Sequence, residues 1–280
     1  MEYYELTITV PDVVRDSLIQ KLSEAGTLGL NERENDLVAY FPASFDLPTL
    51  LLELDLAKAL LDKTGAGQGL TYRYSRLPDT DWNEAWKKAF TALDVGARFT
   101  ILPPWEEPHS SRTNIIIDPG MAFGTGHHET TRSCLLLMEK LAAGQPKDRF
   151  LDVGTGTGIL AIAAAHLGFR EINAVDTDPL AVDASRRNAE LNALGNITFR
   201  NGTIDDVEGT FPLITANLFS GILIHIAHDI ALHVAPGGSV ILSGMIEGQE
   251  QDVITAFNKA GLGVMDSLHD GKWVTLAVSR

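Results

Sequence analysis

Apolar and polar positions alternate from the start of the chain. Tyr4, Leu6, Ile8 and Val10 face one way and polar residues the other, which is the two-residue period of a strand. Pro11-Asp12 then opens a helical pattern with Val14, Leu18, Ile19 and Leu22 on one face, ending near Gly26. A strand pair follows around Leu28–Leu30 and Leu37–Phe41, separated by the polar turn Asn31 to Asp36. Leu47–Leu61 reads as a second helix, Gly65-Ala66-Gly67 as a break, and Leu70, Tyr72 and Tyr74 as a last alternating strand. Two βαβ halves of this kind predict a small ferredoxin-like α+β domain over residues 1–77.

The next segment reads Asp81-Trp82-Asn83-Glu84-Ala85-Trp86-Lys87-Lys88-Ala89-Phe90. Asp81 with Glu84 fits a capping box, and Trp82, Trp86 and Phe90 lie four apart on one helical face. This predicts a linker helix over 78–95 whose aromatics seat it against a neighbour. From Asn114 onward strands and helices alternate. Phe150–Val153, Glu171–Val175, Thr198–Arg200, Leu213–Ala216 and Ser239–Leu242 read as strands, with helices at Ile159–Leu167, Leu180–Leu191 and Ile222–Val234. The expected fold class is therefore α/β: an open Rossmann-like sheet over 96–280, with ligands at the carboxyl ends of its strands.

Composition narrows the function. Against 22 basic residues stand 37 acidic ones, a net charge of −15, which excludes a sequence-independent grip on nucleic-acid phosphates. Residues 1–62 hold 4 basic and 12 acidic side chains, so over half of the net charge lies in under a quarter of the chain. That surface is read either as a solubilising acidic face or as a docking face for a basic macromolecule. The single cysteine, Cys134, makes no intrachain disulfide. Met1-Glu2-Tyr3-Tyr4-Glu5 has no basic or apolar leader character, and a cytoplasmic protein is expected. Phe211–His228 carries no formal charge, but Pro212, Asn217, Ser220, Gly221, His225 and His228 argue for strand, loop and helix rather than a membrane span.

Three motifs carry chemistry. Asp152-Val153-Gly154-Thr155-Gly156-Thr157-Gly158 follows a strand and opens a helix, and glycines there let the backbone approach a ligand closely. A dinucleotide fingerprint needs glycine at position 159, where Ile159 stands, so the G-x-G-x-G spacing favours S-adenosylmethionine over NAD. Asp176 ends the next strand, 22 residues beyond Gly154, where a carboxylate can accept both hydroxyls of a ribose. Asp178, directly before Pro179, is the better candidate for the helix cap. Thr215-Ala216-Asn217-Leu218-Phe219 presents Asn217 at a strand end, where its carbonyl could accept from a neutral amine and aim the lone pair. Upstream, Asp118 to Thr131 carries three glycines ahead of a helix and suggests a backbone nest over a polar ligand. His127-His128-Glu129 is not a metal site on this reading, because adjacent histidines on a regular element cannot face one ion.

D-P-G-M-A-F-G-T-G-H-H-E-T-T, D-V-G-T-G-T-G-I-L-A-I-A-A, V-D-T-D-P and A-N-L, in that order, resemble the ribosomal protein L-eleven (L11) methyltransferase family, PrmA-type, within the class I methyltransferases. The Asp81-Trp82 helix, Pro104-Trp105 and Trp273 match its pattern as well, so the likeness spans almost the whole chain. It implies a substrate-recognition domain, a linker helix and a catalytic domain, with trimethylation of the α-amine and certain lysines of the ribosomal protein. It also implies that Phe123, Thr125, Gly126, His128 and Thr130 belong to the loop over the cofactor. Asp152, Gly154, Gly156, Gly158 and Asp176 would hold the cofactor, and Asn217 would face the amine, with His128 a weaker candidate for proton transfer. Many members read G-T-H-P-T-T where this chain has Gly126-His127-His128-Glu129-Thr130-Thr131, so no role is carried over to His127 or Glu129. Two alternatives keep the fold: methylation of another protein's lysines, or a cofactor-binding module that recruits a partner without transfer.

Overall fold

The N-terminal alternation forms strand β1 (Tyr3–Thr9), with Leu6 and Ile8 fully buried. The computed structural model describes residues 3–33, 36–64, 70–77, 90–108, 111–118, 126 and 128–280. It divides into two units, Met1–Ala89 and Phe90–Arg280. In the first, β1 is followed by α1 (Asp12–Glu24), β2 (Gly29–Glu32), β3 (Asp36–Pro42), α2 (Leu47–Thr64) and β4 (Thr71–Leu77). The four strands form one antiparallel sheet in the order β2-β3-β1-β4. Leu18 and Leu22 of α1 and Leu50 and Leu54 of α2 close over Leu6, Ile8, Leu37 and Phe41, giving this unit its own core. Arg15 is almost fully buried, and its guanidinium is held 3.2 Å from Glu32.

The expected linker helix falls largely on residues 78–89, which lie outside the described residues. The last part of its span is not helical. Leu93–Val95 is strand β5, paired antiparallel with β6 (Phe99–Leu102), and β6 pairs with β7 (Thr113–Ile116). Gly96, with φ +59°, makes the reversal that a continuing helix could not.

The second unit is built on β8 (Arg149–Val153), β9 (Glu171–Asp176), β10 (Ile197–Asn201), β11 (Phe211–Asn217), β12 (Val234–Ile246), β13 (Gly263–Asp270) and β14 (Trp273–Ser279). Among the described residues they form one sheet in the order β10-β9-β8-β11-β12-β14-β13. Pairings from β10 to β12 are parallel, and β14 runs antiparallel to both β12 and β13. The expected α/β class is thus present, as the class I methyltransferase arrangement. The chain builds outward from β8 through β9 to β10, then crosses to β11 on the other side, which puts the topological switch at the carboxyl ends of β8 and β11.

The helices are α3 (Glu129–Ala142), α4 (Ile159–His166), α5 (Pro179–Leu191), α6 (Ser220–His225), α7 (Ala227–Leu232) and α8 (Glu250–Lys259). α4 is apolar on almost every face and correspondingly buried from Ile159 to Ala164. Phe150, Phe169, Phe211 and Phe257 are among the largest fully buried side chains, each worth about 1.5–3 kcal/mol of apolar transfer.

One predicted helix differs. The helix read over Ile222–Val234 is two short helices, Ser220–His225 and Ala227–Leu232, and it stops short of Val234, which belongs to β12 opposite Phe211, where the Phe211 N–H donates to the His233 carbonyl at 2.8 Å. The ladder ends the helix before its apolar pattern does. β12 also runs well beyond the Ser239–Leu242 core read from the sequence, and the β13–β14 hairpin was not predicted.

Candidate active site

The turn after β8 is shaped by close backbone approach. Gly154 N–H and Thr155 N–H both donate to the Val175 carbonyl, at 2.9 and 3.0 Å, tying the turn to β9. Gly154 has φ +74°, and a Cβ there would sit 2.3 Å from Leu218 Cδ2. Gly156 N–H donates to Asp176 Oδ2 at 2.9 Å, while Asp176 Oδ1 accepts from Asp178 N–H at 3.0 Å. Gly158 caps α4 in the left-handed conformation. Asp178 caps α5, accepting from Leu180 N–H at 2.8 Å, with Pro179 in the first helical turn. Asp176 is thereby left at the strand end to bridge the glycine turn and the start of α5.

Asp152 lies beneath this turn and is 1% exposed. Its Oδ1 accepts from Thr215 Oγ1 at 2.6 Å and its Oδ2 from Thr155 Oγ1 at 2.7 Å. Thr215 is its register partner on β11. Burial pushes the carboxyl up from 3.8 to about 6; the two hydroxyls pull it down, and the nearby Asp176 adds to the rise. A folded-state value above the unfolded one means that the protonated form stabilises the fold. That contribution is complete below pH 3.8 and is lost as the pH rises through about 6. The difference corresponds to about 3 kcal/mol. Asp152→Asn abolishes this loss. Its melting temperature minus that of the unaltered protein is therefore expected to climb by about 5–10 °C between pH 4 and 7. A pH-independent difference in thermal unfolding would show that Asp152 ionises as an ordinary carboxylate.

Asn217 ends β11 on the other side of the switch. Gly244, with φ +90°, lets the following residue cross β12 closely, since a Cβ there would lie 2.4 Å from the Leu218 carbonyl oxygen. Leu218 is pinned between Gly154 and Gly244, and the Leu218 N–H donates to the Ser243 carbonyl at 2.9 Å. This holds Asn217 at the crevice. Its Nδ2 donates to Thr130 Oγ1 at 3.2 Å. Its Oδ1 is buried, and among the described residues it has no partner. A buried carbonyl oxygen without a donor is costly, and such an atom at a crevice fits a ligand that brings an N–H.

His128 is the N-cap of α3, its Nδ1 accepting from Thr130 N–H at 3.3 Å and lying 2.8 Å from Thr130 Oγ1. Its ring meets Trp273 edge-on at 4.7 Å between centroids. Thr130 is 1% exposed, its hydroxyl set between His128 and Asn217. Gly126 is buried with φ +86°, beside the Ile101 and Ile159 side chains. Phe123, Thr125 and His127 lie outside the described residues. The structure therefore brings Gly154, Gly156, Gly158 and Asp176 together at the adjoining ends of β8 and β9, with Asp152 buried beneath the turn and both its oxygens taken by Thr155 and Thr215, and joins Asn217, Thr130 and His128 by hydrogen bonds.

Four contributing residues escaped the sequence reading. Thr155 and Thr215 hold Asp152. Asn188, 1% exposed on α5, donates to the Thr157 carbonyl and accepts from Asp118 N–H, both at 2.9 Å. Asn192, one turn on, grips Ile116 through both its N–H and its carbonyl, at 2.9 and 2.7 Å. α5 thus ties the glycine turn to the strand end from which the 119–127 segment departs. Asn188, intrinsically unfavourable inside a helix, and Asn192, four residues on at its C-cap, were the available signal.

The family described as "Ribosomal protein L11 methyltransferase (PrmA)" matches residues 3–280. A ribosomal protein L11 methyltransferase from Ruminiclostridium cellulolyticum is 31% identical, over 99% of this chain and 98% of its own. One from Symbiobacterium thermophilum is 39% identical, over 86% of this chain and 79% of its own. Among solved structures, the ribosomal protein L11 methylase of Lactobacillus delbrueckii subsp. bulgaricus superposes with a TM-score of 0.64 at 33% identity, covering 68% of this chain and 99% of that one. Matched over nearly its whole length by the family model and by full-length relatives, the chain belongs to the ribosomal protein L11 methyltransferase family.

Proposed function

We propose that the protein transfers methyl groups from S-adenosylmethionine to the α-amino group and lysine amines of ribosomal protein L11, up to trimethylation. The observation that carries this reading is the buried Asn217 Oδ1 beside the glycine turn, which has no partner among the described residues. The turn suits a nucleoside ligand. Its glycines leave room for close approach, and Asp176 can take the ribose hydroxyls. Among the described residues, no lysine or arginine is ion-paired with Asp152 or Asp176. Phe123, Thr125 and Gly126 complete the cofactor site by family likeness, while the hydroxyl of Thr130, which the same likeness puts there, lies between His128 and Asn217. When bound, the cofactor supplies an electrophilic methyl on a sulfonium sulfur.

The chain's own work is positioning. An amine attacks only when neutral, and lysine (about 10.4) and α-amine (about 7.7–8.0) groups are mostly protonated at pH 7. A buried site lowers that value. Asn217 Oδ1 then accepts one N–H and fixes the direction of the lone pair, and the proton released at nitrogen leaves to water. Phe219 and Ile222, 51% and 45% exposed just beyond Asn217, offer apolar contact to the polypeptide carrying the amine.

Residues 1–77 are read as a ferredoxin-like substrate-recognition domain and 96–280 as the catalytic domain, which β5 (Leu93–Val95) joins by pairing with β6. The acidic balance of residues 1–62 supports docking of a basic ribosomal protein, and Leu52, Leu56 and Leu60 add an exposed apolar stripe on α2. A cytoplasmic location accords with such a substrate. Among the described residues, no helix is long and apolar enough to cross a membrane. Incubation with methyl-labelled S-adenosylmethionine and purified L11, followed by peptide mass spectrometry, tests the proposal. Label on L11 amines is the expected result. Unlabelled L11 alongside another labelled ribosomal protein would refute it.

A further inference from the structure

We propose that His128 and Thr130 are positioning residues that lock the side-chain amide of Asn217 with its oxygen turned toward the acceptor amine. The argument runs along one chain of hydrogen bonds, and it rests on the reading of Asn217 given above. The Thr130 backbone N–H points at His128 Nδ1 from 3.3 Å, which favours the tautomer with Nδ1 bare and the ring proton on Nε2. The Thr130 hydroxyl, 2.8 Å away, has a single proton, which on this tautomer shares the same Nδ1 lone pair. Once that proton is committed, the Thr130 oxygen has only lone pairs for its other neighbour. Asn217, at 3.2 Å, must then present Nδ2 to it, because a flipped amide would set two acceptor oxygens against each other. Oδ1 is left facing away from Thr130, where among the described residues it has no partner.

The anchor is held from both ends. The Trp273 ring packs against His128 at 4.7 Å, and Arg132 of α3 bonds Asp270, in the same hairpin as Trp273, at 2.9 Å. Thr130 is all but excluded from solvent, so water does not compete for its hydroxyl. On this assignment the imidazole contributes an acceptor and not a mobile proton, since using Nδ1 as a base would break the cap and release the amide.

Five variants of the full chain, Asn217→Ala among them, with L11 as substrate, separate these roles. Thr130→Val keeps the shape and removes the hydroxyl. Its kcat for the first methyl is expected to fall about 10–100-fold, with KM and cofactor affinity within about threefold. Thr130→Ser is expected to recover most of that loss. His128→Ala should resemble Thr130→Val, whereas His128→Asn should restore turnover to within about fivefold of the unaltered enzyme, because Asn Oδ1 replaces Nδ1 as an acceptor and asparagine caps helices well. If His128→Asn is as inactive as His128→Ala, the ring's proton chemistry is required and the positioning role is wrong. If Thr130→Val turns over normally while Asn217→Ala does not, the chain of bonds is irrelevant although Asn217 matters. Normal turnover by Asn217→Ala would instead overturn the underlying reading of the site.

Discussion

Asn217→Ala is expected to lower kcat for the first methyl transfer by about 100-fold or more while leaving S-adenosylmethionine affinity within about threefold. The asymmetry follows from where the side chain points. Asp176 and the Gly154–Gly158 turn are fastened to one another by backbone hydrogen bonds that do not involve Asn217. Removing the amide leaves that cradle intact. What is lost is the acceptor that would fix the nitrogen lone pair. A second consequence distinguishes steering from general damage. Primary and secondary amines carry an N–H for Oδ1 to accept, but a dimethylated amine in its neutral, attacking form carries none. The first two transfers should therefore slow far more than the third, and a dimethylated peptide should be trimethylated by the variant at a rate closer to that of the unaltered enzyme. Single-turnover assays on unmodified and dimethylated peptides, with cofactor titration by calorimetry, read both effects. Equal loss at every step, or loss of cofactor affinity, would place Asn217 in the framework of the fold.

Deleting residues 1–77 is expected to leave cofactor affinity nearly unchanged and to reduce kcat/KM on L11 by about 10³-fold or more, the scale at which a tethered docking module raises effective concentration. The two units have separate cores. Leu6, Ile8, Leu22, Leu37 and Phe41 belong to one, while Phe150, Ile162, Leu213 and Ile241 lie in another. Loss of the first need not unfold the second. The full chain should also show KM rising with salt, since attraction between an acidic domain and a basic substrate is screened beyond about 8–10 Å at moderate ionic strength. The truncated chain should lose most of that dependence. Full activity on L11 after deletion would rule out docking by this domain.

Patterning carried the local elements well because period-two and helical alternation reflect which face is buried. Leu6 and Ile8, Ile159–Ala164, and the Asp178-Pro179 helix start appear as read. Glycine spacing and the acidic strand end marked the turn after β8 and the end of β9, which meet where Gly156 N–H donates to Asp176, since close backbone approach restricts the residue types allowed there. Where pairing partners mattered, the pattern failed. Val234 looks like one more apolar residue of a helix, yet it pairs with Phe211 in the sheet. Leu93–Val95 follows an aromatic helical stripe, but hydrogen-bonds to β6.

The same division runs through the site. Sequence alone determined that a glycine cradle follows β8, that Asp176 closes the next strand and that Asn217 ends β11, because each depends on residue type at short spacing. Tertiary structure alone decided that Asp152 is held by Thr155 and Thr215, that Asn188 ties the Thr157 carbonyl to Asp118, and that Asn217 reaches Thr130 across 87 positions of chain. Those contacts lie between elements far apart in sequence, and hydrogen-bond direction exists only once the strands and helices have packed and excluded water.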